Sequence, residues 1–348
     1  MSNFPLSYRL SWLPRLVKPS LAAGGRRFGP IEARWLQPRQ AVRLLFAGDI
    51  SAVASREPPE VDPSLCALFE AADLVVANCE SPVVERPAFP VATRLGLRHA
   101  MTPAFVGKVL VAAGIAPARL VLSLANNHAL DQGPLGFERT AEALADLGAR
   151  TIGAAAKGQV QRIDAGPLAL GFLAFTQWRN GGAADYAGRV AMTKDVAGGF
   201  AVAPSVDVLC AMPHWDREFR HFPQATTRAL AGRLTGQGAN LIVGGHAHVV
   251  QPVERMGQTL VAYGLGDLLG TVMASPPWPL RIGALLSVEM STDADTWGRV
   301  AAHRVIPFLR ERQGRRERLR PVRPEDRAAA LVSRIFVPKT GQTAAKQL

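Results

Sequence analysis

The sequence predicts an α/β fold. From Val42 onward, short apolar runs alternate with helix-like segments, and two of those segments carry the punctuation of complete helices. The side chains able to do chemistry stand just after the apolar runs, where open α/β sheets gather their ligand sites. In chain order the predicted strands are Val42 to Ala47, Leu74 to Ala77, Leu120 to Leu124, Leu168 to Phe175, Val206 to Met212, Leu241 to Val243 and Thr259 to Tyr263. Pro134 to Leu147 reads as a helix. Pro134 suits its first turn, Phe137, Ala141 and Leu144 share a face, and Gly148 takes the left-handed cap. Gln224 to Gln237 repeats that design, with Leu230 and Leu234 on one face and Gly238 at its end.

A chain of 348 residues with 48% hydrophobic and 20% charged side chains can bury a sizeable core as one large domain or two modest ones. No convincing linker divides it. The expected organisation is an irregular lead-in over 1–40, one domain over 41–310 and a basic extension over 311–348. Apolar residues near the N-terminus are broken by Arg9, Pro14, Arg15, Lys18 and Pro19, which argues against a transmembrane helix or signal peptide and for a cytoplasmic protein. Peripheral membrane association through the stretch around Trp12, Leu13 and Leu16 stays open. Cys66, Cys79 and Cys210 are an odd number in apolar settings, expected to be reduced core residues.

The net charge of +12 suits an anionic small-molecule or polymer substrate. Part of it is local: Phe308 to Arg327 holds eight Arg against Glu311, Glu317, Glu325 and Asp326, a surplus of four. That stretch lacks interleaved aromatics and any recognised module, so nucleic-acid binding ranks low.

Five segments place metal-binding or acid/base groups directly after predicted strands. FAGDI offers Asp49, and ANCESPV offers Asn78 and Glu80, which lie on one side if the chain stays extended. SLANNHALDQG offers Asn126, Asn127 and His128, more than a helix cap needs. MPHWDREF offers His214, and GGHAHVVQPVE offers His246 and His248 at alternate positions behind two glycines. Taken singly, each has a structural explanation as a turn, cap or core residue. Four of the seven histidines fall in these segments, whereas His99, His221 and His303 have no such setting. Imidazoles mixed with carboxylates suit Zn, Mn or Fe, and a carboxylate between two cations bridges them at about 3.5–4 Å, which suits in-line displacement at phosphorus.

In this order the motifs resemble the calcineurin-like metallophosphoesterase superfamily and, within it, the bacterial capsule-synthesis CapA (PgsA) family, from about Val42 to Gly270. The Asn78–Glu80 pair, the run Ser123 to Gly133 and YGLGDLLG at Tyr263 to Gly270 carry the CapA likeness. The resemblance implies a metallophosphatase-like four-layer α-β-β-α sandwich of two mixed sheets flanked by helices. It also implies two divalent metal ions (Mn, Fe or Zn). Asp49 would bind the first, Glu80 would bridge, Asn127 and His214 would bind the second, and His246 and His248 would complete the second and first respectively. His128 would be the general acid and, with Asp49, form the catalytic pair; Asn126 and Asp267 are expected at the substrate.

Two positions depart from the resemblance. Ser51 stands where the superfamily commonly has a ligand His, which leaves the first metal one strong ligand short. Asp267 stands where CapA-like chains usually show Asn, as compensating charge or as a structural hydrogen-bond partner. The function implied is metal-dependent hydrolysis of phosphoesters linked to capsule, poly-γ-glutamate or another envelope polymer. The alternative is a non-hydrolytic or amide-directed role in making such a polymer.

Overall fold

The computed structural model describes residues 2–22, 28–51, 57–154, 158–200, 202, 205–270, 276–314 and 316–336. Two mixed sheets pack face to face with helices outside them. The larger runs in the order Glu60–Val61, Arg316–Pro321, Val300–Gln313, Ile282–Ser291, Ala41–Ser51, Leu74–Cys79, Leu120–Ser123 and Arg150–Ile152. Two further strands join it, Glu32–Arg34 on Val300–Gln313 and Asp267–Gly270 on Ala41–Ser51. The smaller sheet runs Val253–Met256, Thr259–Ala262, Leu241–Val243, Val208–His214, Leu168–Thr176 and Gln161–Ala165. Its four central strands are mutually parallel and both edges antiparallel.

Alternation along the central strands builds the layers. Leu170, Phe172 and Ala174 join Cys210, Met212 and Val243 in the core shared with Leu44, Phe46 and Val76 of the larger sheet. Their neighbours Leu173, Phe175, Leu209, Ala211 and Ile242 pack with Leu230, Ala231 and Leu234 of helix Ala225–Gly236. Strands covered on both faces lose the polar–apolar rhythm and read as continuous apolar runs, which is how they appear in the sequence. Outside the larger sheet, helix Pro103–Ala113 starts where the Thr102 hydroxyl accepts the Phe105 N–H at 3.2 Å and ends at Gly114, φ 69°.

Two boundaries differ from expectation. The lead-in contains a helix, Leu6–Val17, with Pro14 inside it. It is held by docking, since Tyr8 and Arg15 are buried against the domain while Leu6, Leu10, Leu13 and Val17 face solvent. The basic stretch is a sheet element as well. Arg316–Pro321 pairs antiparallel with Val300–Gln313, and Arg320 meets Glu311 at 2.6 Å and Asp326 at 2.7 Å. Helix Arg327–Ile335 then packs Leu331, Val332 and Ile335 on the core. The three cysteines are free thiols. Among the described residues, no helix is long and apolar enough to cross a membrane.

Candidate metal centre

Strand Ala41–Ser51 lies between Leu74–Cys79 and Asp267–Gly270, so Asp49 has Asn78 beside it on one strand and Asp267 on the other. The strand can run this close because Gly48 has no side chain: a Cβ there would overlap the Gly266 carbonyl oxygen. Gly245 does the same for the loop after Leu241–Val243, where a Cβ would stand 2.9 Å from Asp49 Oδ1 and 3.1 Å from His214 Nδ1. Two glycines before His246 thus let that loop close over the end of the neighbouring sheet. His246 (φ 85°) and His248 (φ 52°) then take left-handed backbone conformations that place both imidazoles in the site.

The structure gathers Asp49, Glu80, Asn127, His214, His246 and the half-buried His248 into one cluster, the others buried. His214 Nε2 lies 2.8 Å from Asn127 Oδ1 and 3.5 Å from Glu80 Oε1. His248 Nε2 lies 3.6 Å from the same Glu80 oxygen, and His248 Nδ1 is 3.7 Å from Asp49 Oδ2. The rings of His214 and His246 are 4.8 Å apart between centroids. Asp49 accepts hydrogen bonds from Asn78 Nδ2 at 2.8 Å and from the His246 N–H at 3.1 Å.

His128 sits on the rim with Nδ1 2.7 Å from Asp131 Oδ2. Its ring stacks on that of His99 at 3.6 Å between centroids and 5° between planes. Ser51 Oγ is 3.2 Å from His99 Nδ1, so a histidine does stand beside the position where the sequence departs from its resemblance. Sequence reading gave His99 no role because it follows no strand; only the fold brings it here. Tyr8 and Asn180 lie outside the five strand-end segments, and Asp131 and Glu218 lie inside two of them at positions that nothing in the sequence singles out. The cavity in front, about 520 Å³, is lined by His128, His248, Asn127 and Asp267 together with the apolar and aromatic side chains of Phe4, Tyr8, Trp12, Phe219 and Leu280.

The two residues expected at the substrate have partners within the chain, and of them Asp267 lines the cavity. Asn126 is wholly buried, donating to Cys79 O at 2.8 Å and Asn78 Oδ1 at 3.2 Å while accepting the His128 N–H at 3.0 Å. It shapes the loop and does not reach the cavity. Asp267 takes the structural alternative, with Oδ1 2.7 Å from His248 Nδ1 and Oδ2 held by Arg310 at 3.0 Å.

The donor set fits a cation. Both carboxylate oxygens of Glu80 are buried with no hydrogen-bond donor, as is Nδ1 of His246. Buried polar atoms of native folds are as a rule paired by the chain, by ordered water or by a bound ion. Glu80, His246 and His248 each offer a ligand atom within 4.8 Å of the others, and Asp49, His248 and Asp267 form a second such group.

Burial drives the electrostatics. It pushes Glu80 up to about 8 and Asp49 up to about 6, with His248 pulling both back. Burial holds His214 and His246 well below 6.5, in the neutral form a metal needs. For His248 burial acts downward, but Glu80, Asp267 and Asp49 outweigh it and raise the imidazole well above 6.5. From about pH 7.5, where unfolded imidazoles have shed their protons, up through 8, the folded metal-free cluster still holds a proton between Glu80 and His248 that it loses on unfolding. Chelator-treated protein should melt at progressively lower temperature across that window, because the unfolded chain binds fewer protons. Protein saturated with Mn or Zn should show the opposite trend, since each ligand must shed its proton to bind. Parallel trends with and without metal would mean that the cluster is not where the cation sits.

The bacterial capsule synthesis protein PGA_cap family matches this chain over residues 43–271. PGA biosynthesis protein CapA of Bacillus subtilis (strain 168) is 28% identical over 220 residues, covering 58% of this chain and 54% of that protein. Capsule biosynthesis protein CapA of Bacillus anthracis is 29% identical over 169 residues, covering 43% of this chain and 39% of that one. The matches thus span about half the length, or less, of these relatives. Similar solved structures include a putative 5'-nucleotidase from Staphylococcus aureus in complex with alpha-ketoglutarate, at 13% identity and TM-score 0.44 over 78% of this chain and 55% of that one. A novel phosphatase from Mycoplasma pneumoniae aligns at 13% identity and TM-score 0.40 over 78% of this chain and 94% of that one. The family match takes in Asp49 and Asp267 and every cluster residue between them, and this chain belongs to the bacterial capsule synthesis protein PGA_cap family.

Proposed function

We propose that this chain is a metal-dependent hydrolase of phosphoesters that serves the synthesis of a capsule, poly-γ-glutamate or other envelope polymer. The observation that carries the reading is Glu80, a carboxylate with no donor of its own between the imidazoles of His214 and His248. Asp49, Glu80 and His248 would hold one divalent ion, and Glu80, Asn127, His214 and His246 the other. Bound there, two such ions supply Lewis-acid charge for a phosphoryl group and lower the pKa of water. The chain's own residues do the rest. Asp267, fixed by Arg310, turns His248 so that Nε2 points at Glu80. His128, raised by Asp131 against the effect of its burial, carries a proton to the leaving group from the cavity rim. Ser51 supplies no imidazole to the Asp49 side, so the ion there is the more weakly held.

The test is metal analysis of the purified protein followed by a panel of phosphomonoesters, phosphodiesters and γ-glutamyl peptides. Turnover of a phosphoester, abolished by chelation and restored by Mn or Zn, is the expected result. The curated relatives carry biosynthesis in their names, which favours an amide-directed or polymer-binding role as the second reading. Cleavage of γ-glutamyl peptides alone, or metal binding with no turnover of any substrate, would replace the phosphoesterase reading with that one.

A further inference from the structure

His246 has two ring nitrogens in different surroundings. Nδ1 is buried with no hydrogen-bond partner, while Nε2 lies 3.0 Å from the hydroxyl of Tyr8. Tyr8 comes from helix Leu6–Val17, outside the residues the family matches, and is separated from His246 by 238 positions. Its hydroxyl is well specified. The oxygen accepts the Glu218 N–H at 3.2 Å, and the Glu218 carboxylate stands beside the same imidazole, Oε1 3.9 Å from His246 Nε2. That carboxylate also accepts from Trp12 Nε1, and Arg15 Nε holds the Glu218 carbonyl at 2.9 Å. A proton on Nδ1 would be buried with no acceptor, whereas one on Nε2 faces the Tyr8 oxygen, so the neutral ring carries its proton on Nε2.

We propose that Tyr8 is a positioning residue of the metal centre, accepting the Nε2–H of His246 and holding the imidazole in the tautomer whose Nδ1 lone pair is free for a cation. This rests on the metal-binding reading of the cluster. It makes the two imidazoles of the Gly-His-Ala-His run opposite in hand. His248 gives its Nδ1–H to Asp267 and presents Nε2, whereas His246 gives its Nε2–H to Tyr8 and presents Nδ1. The ring of Tyr8 is itself wedged edge-on against Trp178 at 5.1 Å and tilted against Phe4 at 4.8 Å. The N-terminal segment thereby becomes part of the site, and the pair Glu218–Tyr8 does for one ligand what Arg310–Asp267 does for the other.

The experiment uses the full chain stripped of metal, in the parent, Tyr8→Phe and His246→Ala forms. Tyr8→Phe keeps the ring and its packing, and matching near- and far-UV circular dichroism checks that the helix stays docked. Calorimetric titration with Mn²⁺ and Zn²⁺ should show one class of site weakened roughly ten- to hundredfold in Tyr8→Phe, the usual effect of losing an outer-shell partner. Long-range ¹H–¹⁵N spectra of the metal-free protein should show His246 passing from a single Nε2–H tautomer to a mixture. Parent-like affinity and tautomer in Tyr8→Phe, alongside metal loss in His246→Ala, would overturn the assignment of Tyr8 alone. Parent-like affinity in both variants would overturn it together with the metal-centre reading.

Discussion

Glu80→Gln should give a folded protein that retains less than about a tenth of the parent's metal and no metal-dependent turnover. Glutamine has the shape of the residue it replaces, so the core around it is undisturbed. It is a neutral, weaker ligand and cannot put negative charge between two cations. Glu80 has no donor among its neighbours, and burial already drives it toward the protonated state. Above about pH 8, where the parent's carboxylate must ionise inside the protein, chelated Glu80→Gln should therefore melt at a higher temperature than chelated parent. Gain in metal-free stability with loss of metal is the signature of a residue kept for a ligand. Full metal content with parental turnover would remove Glu80 from the centre.

His128→Ala should act differently, keeping its metal while losing roughly 10²- to 10⁴-fold in turnover, the range for a general acid. The ring touches none of the Glu80 oxygens at ion-pair distance; it is held by Asp131, by Asn180 and by the stacked ring of His99. Loss should be greatest for alkyl phosphoesters, whose leaving oxygen needs a proton, and smaller for aryl esters with acidic leaving groups. Equal sensitivity across leaving groups would deny His128 a role in protonation. Metal loss as large as in His246→Ala would make it a ligand.

The larger part of this cluster was legible because its residues ride on strand ends. Asp49, Glu80, Asn127, His214 and the His246–His248 pair each follow an apolar run within a few residues, and the parallel strands carry them to one edge. What escaped were residues delivered by tertiary packing. Tyr8 sits in a helix whose Pro14 disguises its period, and the helix exists because one face docks on the domain. His99 follows the short helix Pro90–Arg94 and meets Ser51 and His128 only through the fold. The strands Val300–Gln313 and Arg316–Pro321 were hidden by their charges. Arg310, Arg312, Arg316, Arg318 and Arg320 resemble a solvated tail until their pairing with each other's strand and with Glu311, Glu317 and Asp326 is seen. The burial of Asn126 was not legible, since a polar run beside a candidate site does not say which amide faces inward.

The left-handed backbone at His246 and His248 bears on how this protein can change. An imidazole held at positive φ costs about 1–2 kcal/mol that glycine would not incur. Both positions therefore lie off the optimum for heat resistance alone. A laboratory selection that rewarded only survival at high temperature would have no reason to hold an imidazole at either position, and would erase the centre wherever a repacked neighbour filled the space. Lineages of this chain that keep the two histidines are to that extent declaring a use for them, and lineages in which both have drifted to glycine would be those in which the scaffold has outlived its chemistry.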